Sequence, residues 1–405
     1  MKLSKVLLLI FMFGFYSRFN LVIGPIYIPF FFSFFAGALL FFVRNFRISK
    51  SSFSFIIIIS IVTSLVTILT LLLYDVEARE VIESYVLFIY SIVLSVIFAD
   101  ELMRYDNDAL SKLLYKISIV ILVLSVLDIF IQPFHQINLF VLELMGGHNQ
   151  GAYAADRESA IFFGIRRPFP FTLEPSHVSK FLMITLSGWL LLAKKKKYIL
   201  FYLLCFLSLV IIRSPIIIGA GIAGLLFQIT DSNSRTNYVK FASVVLVVVI
   251  IGLIGTVFAY FILESRLRSL SLGNDISTYV RIVQPFLILK ESLLYSPYLG
   301  VGIGNTEKLA SIFIENNPAW LGQDLGRGYT VSSLIAPLAY WGILGSLLHL
   351  IPFINYSSKR FNISISNIFI LIVLYFLISI SMGGFNTVNY WAYILMILRM
   401  VHEND

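Results

Sequence analysis

The chain has 405 residues, of which 59% are hydrophobic and only 13% are charged, and its mean hydropathy is +0.90. A soluble protein of this length needs far more polar surface to cover its core, so the composition excludes a soluble fold. Apolar runs of roughly 20 residues recur along the chain and are long enough to cross a hydrocarbon layer about 30 Å thick. The sequence therefore predicts an all-α polytopic membrane protein that forms a single integral membrane domain over residues 1–405.

The net charge of +8 is explained by short basic loops on one side of the membrane. No basic domain stands apart from the apolar runs, so no nucleic-acid partner is expected. Cys205 is the only cysteine, which excludes an intrachain disulfide and a thiolate metal site. The first 24 residues lack a small-residue cleavage site and are interpreted as a retained first helix.

Twelve transmembrane helices are predicted, and their connections divide into two classes. With both termini in the cytoplasm, every inner connection is basic, and the four lysines at 194–197 are the strongest single indication. The outer connection at 75–80 is net acidic and that at 381–388 carries no charge. The predicted spans are residues 4–22, 25–43, 52–74, 84–102, 113–132, 177–193, 198–212, 215–230, 240–262, 332–352, 366–382 and 387–400.

Two long segments, 133–176 and 263–331, fall on the outer side in this topology. Loops of such length are uncommon in compact structures unless they are functional or disordered. The composition of neither segment is of low complexity, and both contain aromatic residues and Leu that are able to pack. Within the second loop, residues 276–295 have the spacing of an amphipathic helix, with Arg281 on its polar face.

The first outer loop ends in the charged stretch "GIRRPFPFTLEPSHVSK", residues 164–180. Pro175 or Ser176 is expected to begin a helix, and a helix N-terminus flanked by arginines favours an anion such as phosphate. The alternative is that the arginines meet lipid headgroups and that Glu174 pairs with one of them. Six arginines on the outer side favour anion binding: Arg166, Arg167, Arg213, Arg266, Arg268 and Arg281.

Three further features bear on this prediction. Arg213 lies between two short apolar runs, so its side chain should face the protein interior or a wet cavity. Arg18, near the outer end of the first span, is expected to reach the interface. The stretch "GVGIGN", which contains Gly300, Gly302 and Asn305, has the wrong spacing for a dinucleotide site and predicts a tight, closely packed turn.

The sequence resembles the O-antigen polymerase (Wzy) and O-antigen ligase superfamily of bacterial envelope proteins. The resemblance covers nearly the whole chain as architecture and is sharpest in "RPFPFTLEPSHVSKF", "IIRSPIIIGAGIAGLL" and "YVRIVQPFLILKESLLYSPYLGVGIGN". It implies a helical glycosyltransferase fold of the GT-C-like type in the bacterial inner membrane, with the active site on the outer face. It also implies an undecaprenyl-pyrophosphate-linked oligosaccharide as substrate, and a flippase and a chain-length regulator as partners. No cofactor and no metal is expected.

The resemblance also suggests roles for individual residues. Arg167, Arg213 and Arg281 are expected to bind the leaving pyrophosphate, with Arg166 as a second choice, and Asn305 belongs to the same substrate-binding set. Glu174 is the preferred base for the acceptor hydroxyl, and His177 is its alternative or its orienting partner. A single displacement by the acceptor inverts the anomeric centre.

Several functions compete with polymerisation of a polysaccharide. An O-antigen ligase typically has a His-Asn pair opening a late span, where this chain has Val331-Ser332. A transporter or lipid-linked oligosaccharide flippase usually places polar residues near the middle of its spans, where Asp128 and Lys180 are among few here. A noncatalytic scaffold would leave the outer arginines unexplained.

Overall fold

The computed structural model describes residues 2–23, 26–45, 47–74, 78–144, 167–172, 174–230, 284–305, 332–361, 363, 365–382 and 384–402. Over these residues the chain is helical, apart from an antiparallel hairpin of β1 (Leu21–Ile23) and β2 (Ile26–Ile28) in which Leu21 faces Ile28. A short 3-10 helix covers Pro215–Ile217. The α-helices are α1 (Lys2–Ser17), α2 (Phe31–Val43), α3 (Lys50–Leu73), α4 (Ala78–Leu102), α5 (Asn107–Phe130), α6 (Gln132–Leu144), α7 (Pro175–Leu192), α8 (Tyr198–Ile212), α9 (Ile218–Thr230), α10 (Gln284–Tyr295), α11 (Ala336–Arg360), α12 (Ile365–Ser381) and α13 (Val388–Val401).

Four of these helices, α3, α4, α5 and α11, are long and apolar enough to cross a membrane. Six others in the described part of the chain are apolar but only 10–17 residues long. The prediction of a helical multi-pass membrane protein is thus confirmed. Of the twelve predicted crossings, four match helices that are long and apolar enough to cross a membrane. The predicted span at 240–262 lies outside the described residues, and likeness to a GT-C fold stays a prediction.

The first predicted outer loop, 133–176, contains a helix that sequence analysis did not predict. Helix α6 begins directly after Ile131, whose extended backbone (φ −111°, ψ 96°) ends α5. Pro133 occupies the second position of α6, where its missing N–H costs no hydrogen bond. At 13 residues the helix is shorter than the roughly 20 residues by which transmembrane helices were predicted. The described part of the second long loop, 263–331, includes α10, which matches the end of the predicted amphipathic helix 276–295.

Helices α7 and α13 form the centre of the bundle. All residues of α7 except Leu191, and all of α13 except Trp391, are buried. Helix α7 packs mainly on α5 and α9, and α13 packs mainly on α4 and α12. Because neighbouring helices enclose α7 along its whole length, its N-terminus has a fixed position. The residues directly before Pro175 are attached to that fixed end.

Charged side chains that are buried or partly buried join the helix ends on one side of the bundle. Arg44 after α2 forms a salt bridge with Glu101 near the end of α4. Arg360, the last residue of α11, donates to Asp100 Oδ1 over 2.8 Å. Arg399 of α13 donates to the carbonyl oxygens of Leu102, the last residue of α4, and of Tyr105 just beyond it. The carboxyl end of a helix carries partial negative charge, which attracts a cation. These contacts bring the basic connections 43–50, 103–112 and 357–360 to the same end of the bundle.

A backbone crossing holds the turn 297–302 against α11. Helix α11 is broken at Gly342 (φ 61°, ψ −168°), and the turn enters the gap. Gly302 N donates to Tyr340 O over 2.9 Å, and Ile343 N donates to Pro297 O over 2.8 Å. A Cβ on Gly300 (φ 65°) would lie 2.4 Å from the Tyr340 carbonyl carbon. The glycine pattern therefore forms the tight turn that the sequence predicts, because only hydrogen fits at this crossing.

We expect Gly300→Ala to lower the free energy of unfolding by about 3 kcal/mol, because the new methyl group meets backbone that is unable to move aside. Gly37→Ala in α2 is the matched control. Its Cβ would meet the end of the Leu94 side chain at 2.8 Å, which can rotate, and alanine is the better helix former. The measurement is thermal unfolding of both variants in detergent. Equal losses of stability in the two variants would contradict the role given to the crossing.

Candidate functional site

The charged stretch predicted as a site lies directly before α7. Helix α7 begins at Pro175, as the sequence predicts, and Glu174 is its N-cap residue with extended backbone (φ −149°, ψ 149°). Ser176 Oγ donates to Glu174 Oε2 over 2.8 Å, and Thr172 Oγ1 donates to the Glu174 carbonyl over 3.1 Å. Glu174 is half-buried, and these bonds hold it at the N-terminus of the bundle's central helix.

His177, the second predicted catalytic residue, lies in the first turn of α7 and is buried. Its backbone N–H donates to the carbonyl of Glu174 over 3.0 Å, which closes the first turn of the helix. Lys180, one turn further, is buried too. Glu174 and His177 are thus joined through the backbone of the first turn, and Lys180 lies deeper in the same helix.

Two of the predicted arginines are brought together. Arg213 follows α8 and ends it in the left-handed conformation (φ 55°, ψ 46°). Arg167 Nε donates to the carbonyl oxygen of Ile212, the residue before Arg213, over 3.4 Å. The 3-10 helix after Arg213 packs on α7. Both arginines therefore lie beside the helix that carries Glu174 and His177, and both are half-buried.

Arg18 joins this group, although sequence analysis placed it at the lipid interface. It follows α1 in the left-handed conformation (φ 57°) and is half-buried. Burial lowers the pKa of its guanidinium, and the charge of Glu174 acts in the opposite direction, so this third arginine lies within electrostatic range of the Glu174 carboxylate. The proximity of α1 to residue 174 depends on tertiary packing, and no local signal in the sequence indicates it.

Backbone strain is concentrated at this place. Five non-glycine residues of the described chain have a positive φ, and Arg18, Phe171 and Arg213 are three of them. A left-handed non-glycine residue costs on the order of 1 kcal/mol or more, and such residues persist only where the surroundings fix them. The strain supports the interpretation of this region as a functional site.

Asn305 lies in a different environment. It is 1% exposed, and its Nδ2 donates to Val301 O within its own turn over 3.1 Å. The turn packs on the ends of α3 and α4, where a Cβ on Gly304 would collide with Ser84.

Two other predicted site residues, Arg166 and Arg281, lie outside the described residues. In the part of the chain that is described, no group of three or more His, Cys, Asp or Glu side chains lies close enough together to hold a metal ion. The chemistry available at the described site is therefore that of arginines beside a carboxylate and an imidazole.

Comparison with known proteins bears on the whole chain. No curated protein matches it in sequence. A family model described as WcaD colanic acid polymerase matches residues 3–403, a stretch that includes every helix of the bundle except the first residue of α1. With its multi-pass apolar helices and with a match of this length, the chain belongs to the WcaD colanic acid polymerase family, a family of polysaccharide polymerases.

Proposed function

We propose that the chain transfers a growing glycan from undecaprenyl pyrophosphate to a lipid-linked repeat unit. The family match supports polymerisation of a polysaccharide and hence glycosyltransferase chemistry. One observation carries the finer proposal. Arg167 contacts the end of α8 next to Arg213, beside the α7 N-terminus that carries Glu174. This is an anion-binding cluster next to a base.

The arginines suit the leaving group. As the bond from the anomeric carbon to the donor oxygen breaks, its electron pair passes to the pyrophosphate and negative charge grows there. Guanidinium groups bind phosphate oxygens through paired N–H donors and bind more strongly as that charge develops. The Ile212 carbonyl, which holds Arg167 now, is a weaker acceptor than a phosphate oxygen. We assign the pyrophosphate to Arg167 and Arg213, with Arg166 and Arg281 kept as predictions from the sequence.

Glu174 suits the acceptor side of the reaction. A sugar hydroxyl is a poor nucleophile, and a carboxylate that takes up its proton speeds its attack. The acceptor oxygen forms a bond to the anomeric carbon while the donor bond breaks, and the proton passes to Glu174. His177 is the alternative base or orients the carboxylate. One such displacement inverts the anomeric centre.

The arginine cluster also supports catalysis without a metal or cofactor. In many phosphoryl and glycosyl transfers a divalent cation neutralises the pyrophosphate, and here two or more guanidinium groups supply that charge. We therefore expect elongation by the purified enzyme to be unchanged after dialysis against EDTA, measured as the length of the glycan product. A loss of elongation that Mg²⁺ restores would contradict the metal-free proposal.

An O-antigen ligase and a lipid-linked oligosaccharide flippase are the alternative functions. The family match favours polymerisation over both. A polymerase of this kind depends on a flippase for its substrate, and a chain-length regulator is the second proposed partner.

We place the site on the outer face of the bacterial inner membrane. The basic connections meet at the end of the bundle where Asp100 and Arg360 pair, and the positive-inside rule assigns that end to the cytoplasm. Glu174 then lies on the opposite side, since α7 runs from Pro175 to the lysines at 194–197. Both chain termini are on the cytoplasmic side in this orientation.

Reconstitution with the native lipid-linked repeat unit tests the function. The parent protein is expected to give a ladder of longer glycans. Glu174→Gln should lower kcat roughly 100-fold or more because the base is lost. Arg213→Ala should lower it about 100-fold because the leaving group is less stabilised. Rates are compared at equal amounts of folded protein.

The matched controls are Arg79→Ala and Glu83→Gln, which change the same residue types at an exposed pair outside the site; their side chains are 80% and 65% exposed. Both controls should keep the parent rate. If the parent protein moves the glycan between leaflets and forms no ladder, the polymerase proposal is wrong and the flippase is favoured. A ladder that survives Glu174→Gln and Arg213→Ala would overturn the site.

The orientation is tested with single cysteines and a membrane-impermeant thiol reagent applied to intact cells. Arg79→Cys lies on the proposed outer side and should be labelled, while Lys195→Cys lies on the proposed inner side and should be protected. Both positions are exposed on the protein surface, and the native Cys205 is buried. Labelling of Lys195→Cys alone would invert the proposed orientation.

A further inference from the structure

The stretch 167–172 is irregular yet largely buried. It forms no helix or strand, and Phe169 and Thr172 have no exposed surface. Buried backbone N–H and C=O groups outside regular structure require partners from elsewhere in the protein. The stretch begins at Arg167 and ends two residues before Glu174, so these partners determine where both functional residues are held.

Two side chains bond to this backbone, Asp128 near the end of α5 and Asn138 on α6, and a third, His135 on α6, bonds to Asp128. We refer to these three residues as the clamp. Asp128 Oδ2 accepts from Phe169 N over 2.9 Å, and Asn138 Oδ1 accepts from Phe171 N over 2.6 Å. The clamp thus binds two backbone N–H groups that lie between Arg167 and Glu174.

The clamp is also bonded internally. His135 Nδ1 donates to Asp128 Oδ1 over 2.9 Å, and Asn138 Nδ2 donates to the same oxygen over 3.1 Å. A carboxylate at Asp128 only accepts hydrogen bonds, and the His135 tautomer with its hydrogen on Nδ1 is the one that donates to it. With the N–H of Phe169, Asp128 receives three hydrogen bonds. On α6 the two partners are three residues apart and therefore share one face.

The burial of this group requires a reason. The exposed fractions of Asp128, His135 and Asn138 are 0%, 1% and 0%. When buried polar side chains are replaced by apolar ones, the stability of a protein is often unchanged or increased. The burial of these three polar side chains is therefore weak evidence that they serve stability alone. Polar sets do fix one geometry, because hydrogen bonds are directional and a misplaced partner is left unsatisfied.

We propose that the clamp positions Arg167 and Glu174 relative to each other for glycosyl transfer, a role that rests on the function proposed above. All three residues of the clamp are positioning residues, since Asp128 and Asn138 bind the backbone and His135 binds Asp128. The clamp holds residues 169 and 171, and Tyr16 of α1 adds a bond to Pro170 O over 2.7 Å. These contacts fix the backbone between Arg167, which binds the pyrophosphate, and Glu174, which is the base. They therefore set the distance between the two side chains.

A swap of two side chains tests this proposal. Asp128→Asn turns an acceptor oxygen into an NH₂ group that faces the NH₂ of Asn138, so two donors oppose each other. Adding Asn138→Asp restores a donor and an acceptor between residues 128 and 138, and each of the two residues still offers an oxygen to its backbone N–H. His135, which faces the same atom of residue 128, accepts from the new NH₂ group when its ring proton is on Nε2, and only the long 3.4 Å bond from Asn138 Nδ2 to Phe169 O is lost. We expect kcat of Asp128→Asn to fall at least tenfold per folded molecule and most of the loss to be recovered in the double variant.

A second readout separates positioning from stability. Inhibition of elongation by inorganic pyrophosphate should weaken at least threefold in Asp128→Asn, because Arg167 is displaced, and should recover in the double variant. The matched control is Ser118→Ala, which removes another buried contact of α5, the 2.8 Å bond from Ser118 Oγ to Thr185 Oγ1. This control should lower thermal stability and leave kcat, KM and inhibition per folded molecule unchanged.

If Asp128→Asn does not fold, His135 decides the question. His135→Asn keeps an N–H donor near the place of Nδ1 and should preserve kcat, whereas His135→Leu removes the donor and should lower kcat.

The outcomes are distinct. Absence of a ladder from the parent protein defeats the proposed function. A parent ladder with unchanged kcat and inhibition in Asp128→Asn, or an impaired Asp128→Asn that the swap does not rescue, overturns the positioning role alone. If Asp128→Asn does not fold, equal kcat in the two His135 variants overturns that role.

Discussion

This structure depends on one constraint, which is that charged side chains buried in the protein must find their bonding partners within the chain. A carboxylate or guanidinium that faces hydrocarbon has no water to bind, so each needs partners from the chain. Arg399, 1% exposed, donates to the carbonyl oxygens of Leu102 and Tyr105. Asp100 accepts from Ser52 and from Arg360, each over 2.8 Å. These bonds join helices far apart in sequence and restrict how the helices pack.

Both ends of the bundle contain charged side chains that are bonded within the protein. At the end with the basic connections, Arg44 pairs with Glu101, and Arg399 donates to backbone carbonyls. Around Glu174, Ser176 donates to the carboxylate and Arg167 donates to a carbonyl. A neutral partner is displaced by a charged ligand at lower cost than an ionic one. These two contacts to a hydroxyl group and a carbonyl therefore suit a binding site.

Local signals predicted much of the fold and little of the site. Helices α3, α4 and α5 match predicted spans but begin two to six residues earlier, because hydropathy leaves out polar first turns such as that capped by Asp106. The start of α7 at Pro175 follows from proline chemistry alone. Helix α6 was missed because 13 residues do not span a membrane. The bond from His135 to Asp128 was missed because it forms only once α6 folds back after α5.

The remaining site contacts come from separate parts of the chain, which is why no motif contains them. Arg18 follows α1, Arg167 precedes α7, and Arg213 follows α8. Arg167 reaches its carbonyl partner across 45 positions of sequence. Helices behave as stiff rods, so the direction in which each one leaves the bundle is set by packing along its whole length. The ion pairs at one end and the enclosed helices α7 and α13 fix those directions. The geometry around Glu174 is therefore a property of the assembled bundle, and no single segment carries it.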